Sequence, residues 1–282
     1  MKPVVRFLGL VIVALAAGLR GESQPSTPSP TQGSQAWVWE SLKFTPNGVG
    51  GRREVTNLPT ATMRRFESHV TTLRPGVDSH PPHKHAQEEF IILKEGVLET
   101  HINGHSQRVG PGSLFFFASN DLHNVSNVGD TPATYLVFNV QTALTASAPA
   151  EGAAKAAVPG KLGSTVYDWE ALPVTKTAKG ARRQLMDSPT ITCSHLECHV
   201  TTLAPGEAPH AAHRHPDEEL IVVKEGLVEA TCDGVATRGG PGSIFFFASN
   251  ALHGLKNVGA EAATYYVVRI TTEATPKPAV KE

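Results

Sequence analysis

The sequence predicts an all-β chain built from two copies of one small antiparallel barrel. Strand-like segments are short, closely spaced and bounded by Gly, Pro or Asn. Segments with a helical period are few, and Gly (25) and Pro (21) are both somewhat frequent. The third observation is internal repetition. Trp39–Val140 aligns without a gap on Trp169–Ile270, 130 residues on, and 17 of 30 positions are identical between Glu67–Gly96 and Glu197–Gly226. At that level of identity both halves must share one fold.

Bulk properties fit this reading. At 282 residues the chain can bury two cores, and 40% hydrophobic with 18% charged residues describes a globular protein. A formal net charge of −1 gives no reason to expect nucleic acid as a partner.

In chain order, residues 1–21 read as a signal peptide. Lys2 and Arg6 precede the apolar run Phe7–Leu19, and Ala14-Leu15-Ala16 is a small-residue cleavage site. The run is short of the roughly 20 residues that span a bilayer, so no stable membrane insertion is expected after cleavage. The expected location is periplasmic or secreted. Residues 22–35 form a Pro/Ser/Thr linker, 36–140 the N-terminal barrel, and 141–163 an Ala/Pro/Gly-rich linker. The C-terminal barrel takes 164–271, and 272–282 are a flexible tail. Within the first unit, strands are expected at Glu67–Leu73, Glu89–Leu93, Val97–Ile102, Ser113–Phe117 and Thr134–Val140, with turns at Pro75-Gly76, Lys94-Glu95-Gly96, Asn103-Gly104 and Pro111-Gly112. Cys193, Cys198 and Cys232 all lie in the second half and have no cysteine counterparts in the first, so no disulfide framework is expected.

The chemistry concentrates in Gly76–Gly96, which holds His83, His85 and Glu89; His123 follows later. His213, His215, Glu219 and His253 repeat the set in register. A His-x-His pair on extended chain directs both imidazoles to one face, and Glu89 lies a further even step along. Three imidazoles and a carboxylate make a mixed nitrogen–oxygen site for a first-row divalent metal: manganese, iron, zinc, copper or nickel. Neither copy has lost a member, so a metal ion is expected in each barrel.

These residues resemble the cupin superfamily. The first motif is carried by Gly76, His83-Lys84-His85, Glu89 and Gly96, and again by Gly206, His213-Arg214-His215, Glu219 and Gly226. The second is carried by Gly110-Pro111-Gly112, His123 and Asn127, and by Gly240-Pro241-Gly242, His253 and Asn257. One departure is local: Ala118-Ser119-Asn120 and Ala248-Ser249-Asn250 replace the family's Pro-x-Gly turn. The resemblance implies a two-domain cupin, or bicupin, of double-stranded β-helix (jelly-roll) barrels.

Softer candidates surround the ligands. His80 and His210 sit at an odd offset and are expected at the rim or behind the ligands, not among them. Glu67/His69 and Glu197/His199 alternate along a strand, facing either the cavity or the outside. Arg52, Arg53, Arg182 and Arg183 recur in register as candidate grips for an anion. Tyr135 and Tyr265 are expected to pack. Phe115–Phe117 and Phe245–Phe247 should alternate between barrel core and an inter-barrel or subunit surface. His101 and His105 occur only in the first unit; Arg269 stands where the first has Asn139.

The function expected is a metal-dependent enzyme acting on a small polar or carboxylate-bearing molecule, by decarboxylation, hydrolytic deamination or oxygenation. A non-catalytic metal- or small-ligand-binding protein is the alternative. No individual catalytic residue is assigned, and a homo-oligomer stays open. If the export reading is right, mass spectrometry of chain recovered from outside the cytoplasm will find a mature N-terminus within residues 17–22. Recovery there with Met1–Gly21 intact would refute it.

Overall fold

The computed structural model describes residues 31–147 and 158–277. The expected signal peptide lies outside the described residues, as do most of the 22–35 linker, residues 148–157 and the last residues of the tail. The described residues contain twenty strands, three short 3₁₀ turns and no α-helix.

The first unit runs β1 (Gln35–Trp37), β2 (Thr45–Asn47), β3 (Gly50–Leu58), β4 (Arg65–Leu73) and β5 (Glu88–Glu95). It continues with β6 (Leu98–Ile102), β7 (His105–Val109), β8 (Leu114–Phe117), β9 (His123–Asn127) and β10 (Ala133–Gln141). The second repeats the series as β11 (Thr165–Tyr167), β12 (Thr175–Thr177), β13 (Gly180–Ser188), β14 (His195–Leu203) and β15 (Glu218–Glu225). Its remainder is β16 (Val228–Cys232), β17 (Val235–Gly239), β18 (Ile244–Phe247), β19 (His253–Asn257) and β20 (Ala263–Thr271). In each unit a seven-stranded antiparallel sheet faces a three-stranded one, β7-β6-β9 or β17-β16-β19.

The large sheets exchange their edges. The order β11-β8-β5-β10-β4-β3-β2 ends on a strand from the second unit, and β1-β18-β15-β20-β14-β13-β12 begins with one from the first. Register is antiparallel, with Phe115 opposite Val166 and Phe245 opposite Ala36. The strand that seals each barrel's edge is thus supplied from 35–37 or 165–167, at the border of the other half.

Side-chain alternation gives every central strand two assignments. Along β5, Phe90 and Ile92 point to a cluster shared by both units, while Ile91 and Leu93 point into their own barrel. Phe116 and Phe246 join the shared cluster, and Phe115, Phe117, Phe245 and Phe247 the inner cores, as the triple-Phe pattern predicts. Phe66 stacks across the interface on Phe246 at 5.4 Å between ring centroids. Burial on both faces explains why these antiparallel strands read as continuous apolar runs.

Polar contacts set the register of this apolar interface. Glu88 accepts hydrogen bonds from Thr190 Oγ1 (2.5 Å), Thr192 Oγ1 (2.8 Å) and the backbone N–H groups of Ile191 and Thr192 (2.9 and 3.3 Å). Glu218 returns the contact, accepting from Thr60 and Thr62 at 2.7 Å each. Gly112 and Gly242, both with positive φ, leave room for the other unit's indole: a Cβ there would lie 2.7 Å from Trp169 or 2.5 Å from Trp39. Five buried Phe side chains at this interface (66, 90, 116, 138 and 246) represent on the order of 10 kcal/mol of gross burial. A buried carboxylate nets far less, so apolar contact holds the barrels and the glutamates fix their alignment.

All three cysteines are free, Cys193 and Cys198 within the shared cluster. Replacing Glu88 by Ala strands four donors and is expected to cost about 3 kcal/mol. Glu218→Ala, which strands two hydroxyls, should cost less. Chemical denaturation followed by fluorescence measures both; equal or negligible losses would contradict the alignment role.

Candidate metal centres

The ligand candidates come from three places in each barrel. His83 and His85 lie on the extended chain that enters β5, Glu89 is its second residue, and His123 opens β9. His83 and His123 exchange backbone hydrogen bonds at 3.1 and 3.0 Å, and His213 and His253 do so at 2.9 and 3.0 Å. That pair of bonds ties the two ligand segments together. Donor atoms of His83, His85 and His123 all lie within 4.8 Å of one another, as do those of His213, His215 and His253.

The turn that departs from the family pattern supports the cluster. Asn120 and Asn250 take φ of 64° and 60°, a left-handed conformation that Asn tolerates where Gly would otherwise stand. In that conformation each N–H donates to the carbonyl of His85 or His215, at 2.8 Å.

Hydrogen bonds preset the imidazoles. Nδ1 of His85 donates to Gln87 O (2.8 Å) and Nδ1 of His123 to Asp121 O (2.8 Å). The same bonds run from His215 to Asp217 O and from His253 to Ala251 O, both at 2.9 Å. With Nδ1 carrying the proton, Nε2 is left as the lone-pair donor a metal requires. Nε2 of His85, His123 and His253 is buried without a hydrogen-bond partner among the described residues. Phe117 stacks on His123 at 4.2 Å and Phe247 on His253 at 4.4 Å, holding each ring plane. The donor set, its burial and its orphaned nitrogens fit a divalent ion in each barrel.

Electrostatics agree. Burial pushes the His123 pKa down to about 4, so its ring is neutral and available at physiological pH. Burial opposes ionisation of Glu89, but His85 and His123 outweigh it and hold the carboxyl below its ordinary value. Glu89 lies 3.5 Å from His85 Nε2, and Glu219 accepts from His215 Nε2 at 3.2 Å. Burial also acts against the charged form of His215, yet Asp217 and Glu219 prevail and raise its pKa to about 9.

Each centre opens on a cavity, about 310 Å³ in the first barrel and about 580 Å³ in the second. His69 and His199 line them, so the Glu–His pairs face inward. Glu67 Oε1 accepts from His69 Nδ1 (2.8 Å) and Arg52 Nη2 (2.9 Å), and Oε2 from Asn139 (2.8 Å). Strand register explains this row: Glu67, Asn139 and Glu89 are opposite one another on β4, β10 and β5. In the second barrel His199 and Arg182 bind Glu197 at 2.8 and 3.1 Å.

Arg53 and Arg183 do not reach the cavities. They donate to the Leu42 and Leu172 carbonyls and lie over Trp39 and Trp169, at 4.7 and 4.2 Å. His80 and His210 stand exposed at the rim, edge-on to His83 and His213. The rings of Tyr135 and Tyr265 are buried as expected, and both residues also line the cavities. His101 and His105 line neither. Sequence reasoning passed over Lys179 and Asp217, whose first-unit counterparts are Val49 and Gln87. The signal was there, in the in-register differences that add charge.

The metal-free protein should lose stability on both sides of neutrality. His123 ionises at 6.5 when unfolded and about 4 when folded, so its contribution is lost as pH falls between those values. His215, raised to about 9, contributes fully below 6.5 and loses its contribution as pH rises toward 9. Melting temperatures of chelator-treated protein from pH 4 to 9 check this; a flat profile would contradict it.

The cupin domain model matches residues 69–139 and again 199–269. No curated protein matches the chain by sequence. Among solved structures, a Bacillus subtilis oxalate decarboxylase (OxdC) mutant superposes with a TM-score of 0.63 at 18% identity, covering 88% of this chain and 80% of that one. The Lactobacillus farciminis oxalate decarboxylase formate complex gives 0.63 at 17%, covering 86% and 88%. AerE from Microcystis aeruginosa gives 0.61 at 12%, covering 81% and 96%. At these identities the likeness is one of fold. With both halves matched and the ligand motifs clustered twice, the chain belongs to the cupin family, as a two-domain member.

Proposed function

We propose that this chain is an exported, metal-dependent cupin enzyme acting on a small polar or carboxylate-bearing molecule. The observation that carries the reading is the set of buried imidazole Nε2 atoms, fixed in tautomer and converging inside a cavity. His83, His85, Glu89 and His123 would hold one ion, and His213, His215, Glu219 and His253 the other. A divalent ion so held would supply Lewis acidity toward a bound substrate or water.

The rest of the work falls to the chain. Glu67 fixes the Nδ1–H of His69, and Glu197 that of His199, leaving each Nε2 to take or give a proton on the cavity side. Arg52 and Arg182 donate to the glutamates of these pairs and hold the carboxylates in place. Phe117 and Phe247 keep water from one side of the centre. Among decarboxylation, deamination and oxygenation, the fold neighbours favour decarboxylation, and the Bacillus subtilis neighbour is described with Mn(II) centres.

Export bears on the metal. A chain that folds outside the cytoplasm meets zinc and copper, which outcompete manganese on affinity. Elemental analysis of protein from its native compartment is therefore expected to find zinc or copper; finding neither would refute that reading. His83→Ala with Glu89→Ala should empty the first centre and leave the second loaded, halving metal content. Two ions per chain in that variant would refute the ligand assignment. A screen of small carboxylates, ureides and phenolics on loaded protein tests turnover. Metal that stabilises the fold while no compound is converted would leave a binding or storage role.

A further inference from the structure

The two cavities differ in the polarity they present, although their metal-ligand sets are the same. Three in-register substitutions add charge around the second: Val49 to Lys179, Gln87 to Asp217 and Asn139 to Arg269. In the first barrel Asn139 donates through Nδ2 to Glu67, which turns its Oδ1 outward, buried and without a partner. That oxygen is an acceptor, and it asks for an N–H or O–H on whatever lies beside it.

In the second barrel the position corresponding to Asn139 is a donor. Arg269 forks onto Asp217 through Nε (2.6 Å) and Nη2 (3.0 Å), leaving Nη1 without a hydrogen bond among the described residues. The Tyr265 hydroxyl is buried and unpartnered, and its residue lines the cavity. Lys179, on the turn between β12 and β13, donates to the carbonyls of Ala208 (2.5 Å) and Pro209 (3.1 Å) and has no ion pair with a carboxylate among the described residues.

Charge bookkeeping isolates Lys179. The first site has Arg52 against Glu67 and Glu89. The second has Arg182, Arg269 and Lys179 against Glu197, Asp217 and Glu219. Arg182 is matched to Glu197 and Arg269 to Asp217, which leaves Lys179 and Glu219 in the second site where the first leaves Glu89 alone. The second cavity, nearly twice the volume of the first, therefore carries one more positive charge.

We propose that the second barrel alone is an anion site, in which Lys179, Tyr265 and Arg269 Nη1 receive a carboxylate of the ligand, while the first barrel admits only smaller, neutral, hydrogen-donating ligands. The inference rests on the reading that both centres carry metal. It assigns Lys179 as a specificity determinant with no part in the chemical step.

The test uses the full chain reconstituted with zinc to two ions and titrated with malonate by calorimetry. One malonate per chain is expected, with binding abolished in the His213→Ala/Glu219→Ala variant and kept in His83→Ala/Glu89→Ala. Lys179→Val, which restores the first barrel's apolar character there, should weaken binding about tenfold, the loss of one charge-assisted hydrogen bond, and Lys179→Arg should recover most of it. Circular dichroism and zinc content confirm that each variant is folded and loaded. Two equivalent malonates, no malonate on the loaded protein, or unchanged affinity in Lys179→Val would overturn this inference and leave the metal reading standing. Failure to take up zinc would overturn both.

Discussion

Everything in this molecule depends on central strands that are buried on both faces. Because side chains alternate, a strand such as β5 must satisfy the twin barrel with one set of residues and the metal centre with the other. Glu88 and Glu89 show how tightly this is drawn. The first is anchored in threonines of the opposite unit, and the second stands 3.5 Å from His85 in the cavity. A slip of one residue would bury the ligand at the interface and send the anchor into the site. Interface packing therefore sets the position of Glu89 in the cavity.

The same constraint bears on what could be read in advance. Two barrels, their duplication and the clustering of six histidines were legible because motif spacing and the repeat are local properties of the chain. The triple-Phe segments were legible as alternating, since period two leaves no other arrangement. The facing of Glu67/His69 was not, because it depends on which side of β4 meets the other unit. The arginines divide for a similar reason. Arg52 and Arg53 are neighbours, so alternation sends one to the cavity and the other under Trp39.

What sequence could not supply was the trade of edges between the halves. Strands of three residues carry too little pattern to assign a partner, and 35–37 and 165–167 find theirs only across the interface. Divergence was easier to see than to interpret. Val49 and Lys179 differ in register, but only the geometry around Ala208 and Pro209 shows that the ammonium rests on carbonyls, with no carboxylate paired to it among the described residues.

The edge trade has a further meaning. Its two contacts are related by the repeat itself: what β1 does for β18, β11 does for β8. Each half stands to the other as one copy of a protein stands to its twin across a two-fold axis. A single half on its own would present an open sheet edge and a bare aromatic face, and the surface that covers both is carried by another molecule of that same half. The covalent link between the units thus turns a self-complementary pairing into an intramolecular one, freeing the two cavities to diverge while their scaffold remains shared.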